Sequence, residues 1–387
     1  MKVAFIHNEK KIGTGTGYIN DLISLKLRKN GVEVKNFYPT SNLLGKNVHL
    51  ADAPILLRGL SNILFFFSLL EHRKKILKYD LIQGTTYTPL TFLAYDIPVI
   101  SHFGSTTKGF LDMTPQTSKL EPCLQSFWHM LKQKGALKEI SLKTRRPLRD
   151  VAEIEKLVAN RADAVIATSE NVRQEIISLG TKPENVSVIH NAIEDFWFTK
   201  PLATFAKKPS LVFIGRLGNA VFDLKLKGLD RVWDWYKHFP LENKVTIAIT
   251  TNVELTDVLT MGIPKHRVLA NYDKAKIPEL FDSLTGSIVF ISSRYEGFSL
   301  SLVEAMSRGL VPIAYPVGVA PEIIINGKNG FLVKNQKEVM TYTKLLLSNT
   351  ALRKKMSIEA HKTAQQFTAD QMIKKFIKLY NKVLKRH

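Results

Sequence analysis

Residues 292–309 read SSRYEGFSLSLVEAMSRG. An apolar run at 287–291 leads into them and a second, VPIAY, follows at 311–315. This predicts a strand, a loop, a helix from about Ser299 to Arg308 and a closing left-handed turn at Gly309 before the next strand. Ser299 is a residue type that caps helices. Unpaired amides near Ser299 to Leu302 would then make an anion site suited to phosphate. Two carboxylates flank that site, Glu296 on the loop and Glu304 in the helix. At ~1.5 Å per helical residue they stand well apart, which disfavours the ~5 Å carboxylate pair of a retaining glycosidase. A ligand with hydroxyls, then a diphosphate, then more hydroxyls fits this order, since each carboxylate accepts hydrogen bonds from a sugar while the helix start holds phosphate. A nucleotide sugar is such a molecule.

The same strand-then-helix rhythm runs along the chain. VAFIH, VEVKNFY, DLIQG, IPVISHF, ADAVIATS and VSVIHN alternate with helical stretches up to about residue 190. An aperiodic segment, EDFWFTKPLATFAKKPS at 194–210, separates them from LVFIG, VTIAIT, SIVFIS and VPIAY. The pattern predicts an α/β protein of two doubly wound, Rossmann-like domains facing a central cleft. The expected boundaries are 1–198 for an acceptor-side domain and 199–368 for a nucleotide-sugar domain. A last helix, 369–387, with Met372, Phe376, Leu379 and Val383 at helical spacing, would cross back to the N-terminal domain.

Composition narrows the partners. The 387 residues include 55 Lys and Arg against 34 Asp and Glu, a formal charge of +21, which favours anionic ligands. The single cysteine, Cys123, forms no internal disulfide and suits a reducing cytosol. The N-terminus reads as a first strand and not as a signal peptide. The most apolar stretch, GLSNILFFFSLL at 59–70, has twelve residues, short of the ~20 that span a bilayer. No Asp-x-Asp metal motif occurs in the chain, so no metal and no cofactor is expected.

Carboxylates beside a diphosphate require fixed positive charge. Arg216 follows Gly215 at the end of the LVFIG strand, and Lys225 and Lys227 come soon after; all three are candidates. In the first half, IGTGTGYINDL follows the first strand, so Gly13, Gly15, Thr16 and Gly17 would let the backbone approach a phosphate or an acceptor. His102, in VISHFGSTTKG, sits at another strand end, where it could hydrogen-bond a sugar hydroxyl or act as a base.

These residues together resemble the retaining glycosyltransferases of family 4, the glycosyl transferases group 1, which have GT-B architecture. The most specific part is EGFSLSLVEAMSRGLVPIAYPVGVAPEIIINGKNGFLV at 296–333, similar to that family's paired-glutamate motif. FIGRL with the later Lys227-Gly228, ADAVIATS and VSVIHNAIE support it. The resemblance implies that Glu296 contacts donor sugar hydroxyls, that the amides of Gly297, Phe298, Ser299 and Leu300 hold sugar and phosphate, and that Glu304 holds the ribose. It implies that Arg216 and Lys227 neutralise the departing diphosphate, that His102 lies near the donor sugar, and that Gly15 to Gly17 lie near the phosphates and acceptor. Three features depart from the family pattern. Arg216 and Lys227 are unusually far apart, which keeps Lys225 as a rival; Ser299 stands where glycine is common; HNAIE replaces the usual NGVD.

The expected activity is therefore retaining, metal-independent transfer of a hexose from a nucleoside diphosphate sugar to a glycan or lipid-linked acceptor. The alternatives are an epimerase or phosphorylase on the same scaffold, or a non-catalytic nucleotide-sugar or nucleic-acid binder. No aromatic-basic RNA motif accompanies the charge, so no specific nucleic acid is expected. The expected location is cytoplasmic, with peripheral docking on anionic membrane at the inner face of the cell membrane. The surfaces for it are 59–78 and 105–149, the latter with nine Lys and Arg against three Asp and Glu and with Phe127 and Trp128.

Overall fold

Val3, Ala4, Phe5 and Ile6 are fully buried in strand β1, Lys2–Ile6. A strand without an exposed face needs neighbours on both sides and helices on both faces. The structure, a computed structural model, describes residues 1–8, 15–39, 58–134, 142–217, 221–249, 260 and 263–387, with side chains described for these except 15, 16, 58–63, 142–147 and 221. Gly13 lies outside them. The described residues form two compact units: Met1–Leu111 with Ser141–Ala192 and Phe367–His387, and Asp112–Ile140 with Ile193–Gln366.

The first unit holds a six-stranded parallel sheet among the described residues, ordered β2-β1-β3-β4-β5-β6. Its further strands are β2 (Glu33–Phe37), β3 (Leu81–Thr85), β4 (Val99–Phe103), β5 (Ala164–Ala167) and β6 (Val186–Val188). β3 and β4 are buried throughout, whereas β2, at the edge, alternates between exposed and buried positions. The helix Ala369–Leu384 closes this unit. It buries Met372, Phe376, Leu379 and Val383, Lys26 Nζ lies 2.6 Å from Asp370 Oδ1, and Tyr380 hydrogen-bonds Gln83.

The second unit holds another parallel sheet, ordered β12-β11-β10-β7-β8-β9. Its strands are β7 (Ser210–Gly215), β8 (Asn243–Ala248), β9 (His266–Ala270), β10 (Ile288–Ile291), β11 (Val311–Ala314) and β12 (Phe331–Leu332). All ten strands read from the sequence are present. β9 and β12 are additional. β9 is a partly exposed edge strand without clean alternation, and β12 is two residues long, so neither has a periodic signal.

The units do not follow the contiguous division at 198. The helix Pro122–Gln133 belongs to the second unit, because its apolar stripe, Phe127, Trp128 and Leu131, lies in a core with Trp233, Leu229 and Phe213. Phe127 and Trp233 ring centroids are 5.5 Å apart. The aromatic pair expected to face lipid is thus buried, Phe127 at 0% and Trp128 at 5% exposure. No helix among the described residues is long and apolar enough to cross a membrane.

All four tryptophans, Trp128, Trp197, Trp233 and Trp235, lie in the second unit, so intrinsic fluorescence reports on it. Phe127→Ala should lower the stability of that fluorescence transition by about 3–5 kcal/mol, measured by urea titration. An unchanged midpoint would contradict the placement of this helix.

Candidate functional site

Strands β7 and β10 are neighbours, and the order reverses between them, since β7 leads on to β8 at one side and β10 to β11 at the other. Open α/β sheets bind ligands outside the carboxyl ends of strands at such a switch point. The two segments that leave these strand ends are Arg216, exposed directly after Gly215, and Ser292 to Ser299.

The loop 292–299 is tied down on two sides. Arg294 donates through both terminal nitrogens to Asp230, at 2.8 and 2.6 Å, and also to the carbonyl of Lys225 at 2.8 Å. Its own amide donates to the Leu226 carbonyl, and Ser292 Oγ donates to the Lys227 carbonyl at 2.7 Å. Arg231 reaches the Ser292 carbonyl at 2.9 Å while its guanidinium lies 3.6 Å from the centre of the Tyr315 ring; burial lowers its pKa to about 10. Gly228 makes this approach possible: its φ is +64°, and a Cβ there would stand 2.1 Å from the Ser292 oxygen. On the other side Val319 donates to the Phe298 carbonyl, and Gly318, at φ +55°, leaves room where a Cβ would lie 2.4 Å from that oxygen.

This anchoring sets Lys227 beside Glu296, with Nζ 2.7 Å from Oε1; Ser293 Oγ donates to the same oxygen at 2.7 Å. The helix then runs over Leu300–Ser307, with Gly309 left-handed at φ +69°. Gly297 and Phe298 are buried ahead of it. Ser299 does not cap through its side chain. Its backbone is left-handed, at φ 85°, and its buried Oγ has no hydrogen-bond partner among the described residues. That φ suits glycine better than any L residue. The Leu302 amide donates to the Ser299 carbonyl at 3.2 Å, so of the amides expected to be free only those ahead of it, at Leu300 and Ser301, keep the place of a helix start without an intrahelical acceptor.

Glu304 is buried on this helix. Its Oε1 lies 3.7 Å from Lys274 Nζ, and burial raises its pKa to about 7 against the pull of Lys274. Glu194, whose carboxyl accepts from Trp197 Nε1 at 3.1 Å, is also raised by burial and lowered by Lys274. Lys274 therefore serves two acids, Glu304, which is buried, and Glu194, which is half-buried. It comes from YDKAKIPELF, which has no motif to mark it, and the Arg294–Asp230 fork is equally unmarked. Glu194 is the acid of the HNAIE variant.

Lys225 and Lys227 part company. Lys225 is buried, donating to Thr117 Oγ1 at 2.8 Å with its ammonium 5.4 Å from the centre of the Trp128 ring; only Lys227 joins Glu296. In the first unit, Gly15, Thr16 and Gly17 open the helix Gly15–Lys29. His102 lies on β4, 2% exposed, its ring edge-on to Phe376 at 5.6 Å. Neither ring nitrogen has a hydrogen-bond partner among the described residues. Burial lowers its pKa to about 4, so it is a neutral hydrogen-bonding group and a weak base. No cluster of three metal-ligating side chains occurs among the described residues.

Two families match the chain. Glycosyl transferases group 1 matches residues 200–363 and Glycosyltransferase Family 4 matches 15–195. An uncharacterized glycosyltransferase of Methanocaldococcus jannaschii is 27% identical over 248 residues, covering 60% of this chain and 61% of the relative. The chain spans less than two thirds of the length of the first curated relatives it matches. Among solved structures, sucrose-phosphate synthase from Thermosynechococcus elongatus superposes with a TM-score of 0.75 at 15% identity over 100% of both chains. HepE of Anabaena, in complex with UDP-glucose, superposes with a TM-score of 0.67 at 16% identity over 99% of this chain and 100% of that one. At such identities the likeness shows the fold, which is GT-B.

The burial of Glu304 has a consequence for stability. Between its ordinary pKa of 4.5 and about 7, the folded chain holds a proton that the unfolded chain has lost. Stability therefore falls as pH rises through that window. The Glu304→Gln variant lacks this loss, so its stability relative to wild type should rise from pH 5 to pH 7 by about 2 kcal/mol and level above that. Urea midpoints against pH check this; a flat difference would contradict it.

Proposed function

We propose that this chain, which belongs to the family 4-like glycosyl transferases of group 1, is a glycosyltransferase that moves a hexose from a nucleoside diphosphate sugar to an acceptor hydroxyl with retention. The observation that carries this reading is one helix start bracketed by two acids, each already beside its own ammonium, Glu296 with Lys227 and Glu304 with Lys274. An anion alone would be repelled by the acids. A ligand whose diphosphate meets amides and cations while its two sugar rings meet carboxylates would satisfy all of them.

In this scheme Glu304 accepts from the ribose hydroxyls and Glu296 from those of the donor hexose. The amides around Gly297 to Leu300 take the β-phosphate, with Arg216 and Lys227 balancing the charge that develops as the diphosphate leaves. The bond from the anomeric carbon to the phosphate oxygen breaks as the acceptor oxygen bonds the same carbon from the same face. The acceptor proton passes to the departing phosphate oxygen. Cationic side chains and a helix N-terminus supply the charge that a divalent ion supplies elsewhere, which is the basis for metal-independent transfer.

Docking on anionic membrane is proposed for the 59–78 surface alone. Phe67 is 57% exposed and Leu77 37%, and Arg73, Lys74, Lys75 and Lys78 are exposed around them. Basic side chains near a lipid surface contribute ~1 kcal/mol each.

A thermal-shift screen of UDP, GDP and ADP sugars identifies the donor. With that donor, Glu296→Ala should lower kcat/KM by about a hundredfold or more, EDTA should leave transfer intact, and NMR of the product should show the donor's anomeric configuration. Unimpaired transfer by Glu296→Ala, or an inverted product, would overturn the scheme. Co-sedimentation with phosphatidylserine vesicles should be weakened by the double change Lys74→Ala and Lys75→Ala, whereas background binding of wild type would end the membrane reading.

A further inference from the structure

The first unit carries a cavity that the reaction above does not use. It lies at the amino ends of β5 and β6, between the end of the helix Leu142–Arg161, the turn 180–185 that leads into β6, and the end of the helix Ala369–Leu384 with the residues after it. Open α/β sheets bind their substrates outside the carboxyl ends of the strands, so this cavity stands at the opposite end of the sheet. Its volume is about 710 Å³, within the ~300–1,000 Å³ of small-molecule sites.

Three cationic residues line it, Arg161, Lys182 and Arg386. All three are exposed, and no side-chain hydrogen bond or ion pair holds any of them among the described residues. The one carboxylate that joins them is already committed. Asp163 Oδ2 accepts from the Val99 amide at 2.7 Å, and Oδ1 lies 3.5 Å from His387 Nε2. With His387 counted neutral, three positive charges against one negative leave two. Cations gathered around one concavity raise its potential and draw in anions. A carboxylate would bring a single negative charge, whereas a phosphate monoester brings about −1.5 to −2 near pH 7 and three acceptor oxygens, which suit two guanidinium forks and an ammonium. The space far exceeds that of a bare phosphate, which points to an organic one. The walls are set without a ligand. Asn160 donates through Nδ2 to the Leu179 carbonyl at 3.1 Å and accepts from Thr181 Oγ1 at 3.1 Å, which clips the turn before β6 to the helix Leu142–Arg161, and the buried Val383 anchors the end of the last helix.

We propose that this cavity binds an organic phosphate monoester, with Arg161, Lys182 and Arg386 holding the phosphate. The same group ends soluble compounds such as glycerol 3-phosphate and the headgroup of phosphatidic acid, and the three cations recognise what the two share. A phosphate held there joins the ends of two helices to the turn before β6 and so damps their local opening. The proposal stands apart from the donor reading, which places the nucleotide in the second unit.

The test is hydrogen exchange of the full chain, read by mass spectrometry at residues 160–163 and 180–186. The probes are glycerol 3-phosphate and phosphatidylcholine vesicles with and without phosphatidic acid; glycerol, and sodium chloride at matched ionic strength, are the controls. The variant is the triple change Arg161→Gln, Lys182→Gln and Arg386→Gln, all at exposed positions, and unchanged exchange in β3 and β4 without ligand shows that it folds. Should that exchange differ, the single change Lys182→Gln takes its place, with weakening expected instead of loss. We expect a phosphate probe to slow exchange in both segments of wild type and the effect to be lost in the variant. Slowing by glycerol 3-phosphate identifies a soluble ligand, slowing by phosphatidic acid vesicles alone identifies a headgroup, and either supports the proposal. No slowing by either phosphate, equal slowing by sodium chloride, or slowing that survives the substitutions undiminished would overturn it.

Discussion

The fork between Arg294 and Asp230 holds the second unit's site together. Both side chains are buried, at 6% and 0% exposure. A buried ion pair adds little net stability over an apolar pair of similar volume, but losing one partner leaves an uncompensated charge at a cost of about 3–5 kcal/mol. Its value here is geometric. It fixes the loop after β10 against the segment 225–230, and so brings Lys227, on one, to Glu296, on the other. Gly228 and Gly318 permit the close backbone approaches that this needs.

With the loop fixed, the charges fall into order. Acids placed near a phosphate site raise the cost of binding unless cations stand with them. Lys227 and Lys274 do so for Glu296 and Glu304, and in both cases the acid is more buried than the base. The high overall charge of +21 thus obscures a local balance. Many of the described basic residues are exposed, while Lys227 and Lys274 are each held beside an acid.

The strands were legible because burial on both faces writes them as unbroken apolar runs, as in Val3 to Ile6 and Ile288 to Ile291. The helix Leu300–Ser307 and the residues around it are legible as a pattern of caps and acids. What a single sequence does not carry is pairing across distance. Arg294 and Asp230 are 64 positions apart, and nothing local marks either. The stripe on Pro122–Gln133 announces a buried face without naming the sheet it packs on, so Phe127 and Trp128 were assigned to lipid when they belong to a core. A left-handed backbone at Ser299 is likewise invisible in its residue type, which suggests a side-chain cap that this φ does not form.

The most direct measurement is a crystal structure with UDP or GDP bound. The diphosphate should lie within hydrogen-bond distance, about 2.7–3.2 Å, of the backbone amides between Gly297 and Leu300, with the ribose against Glu304. Nucleotide density elsewhere on the chain, with that helix start unoccupied, would contradict the assignment of residues 296–304 as the donor site.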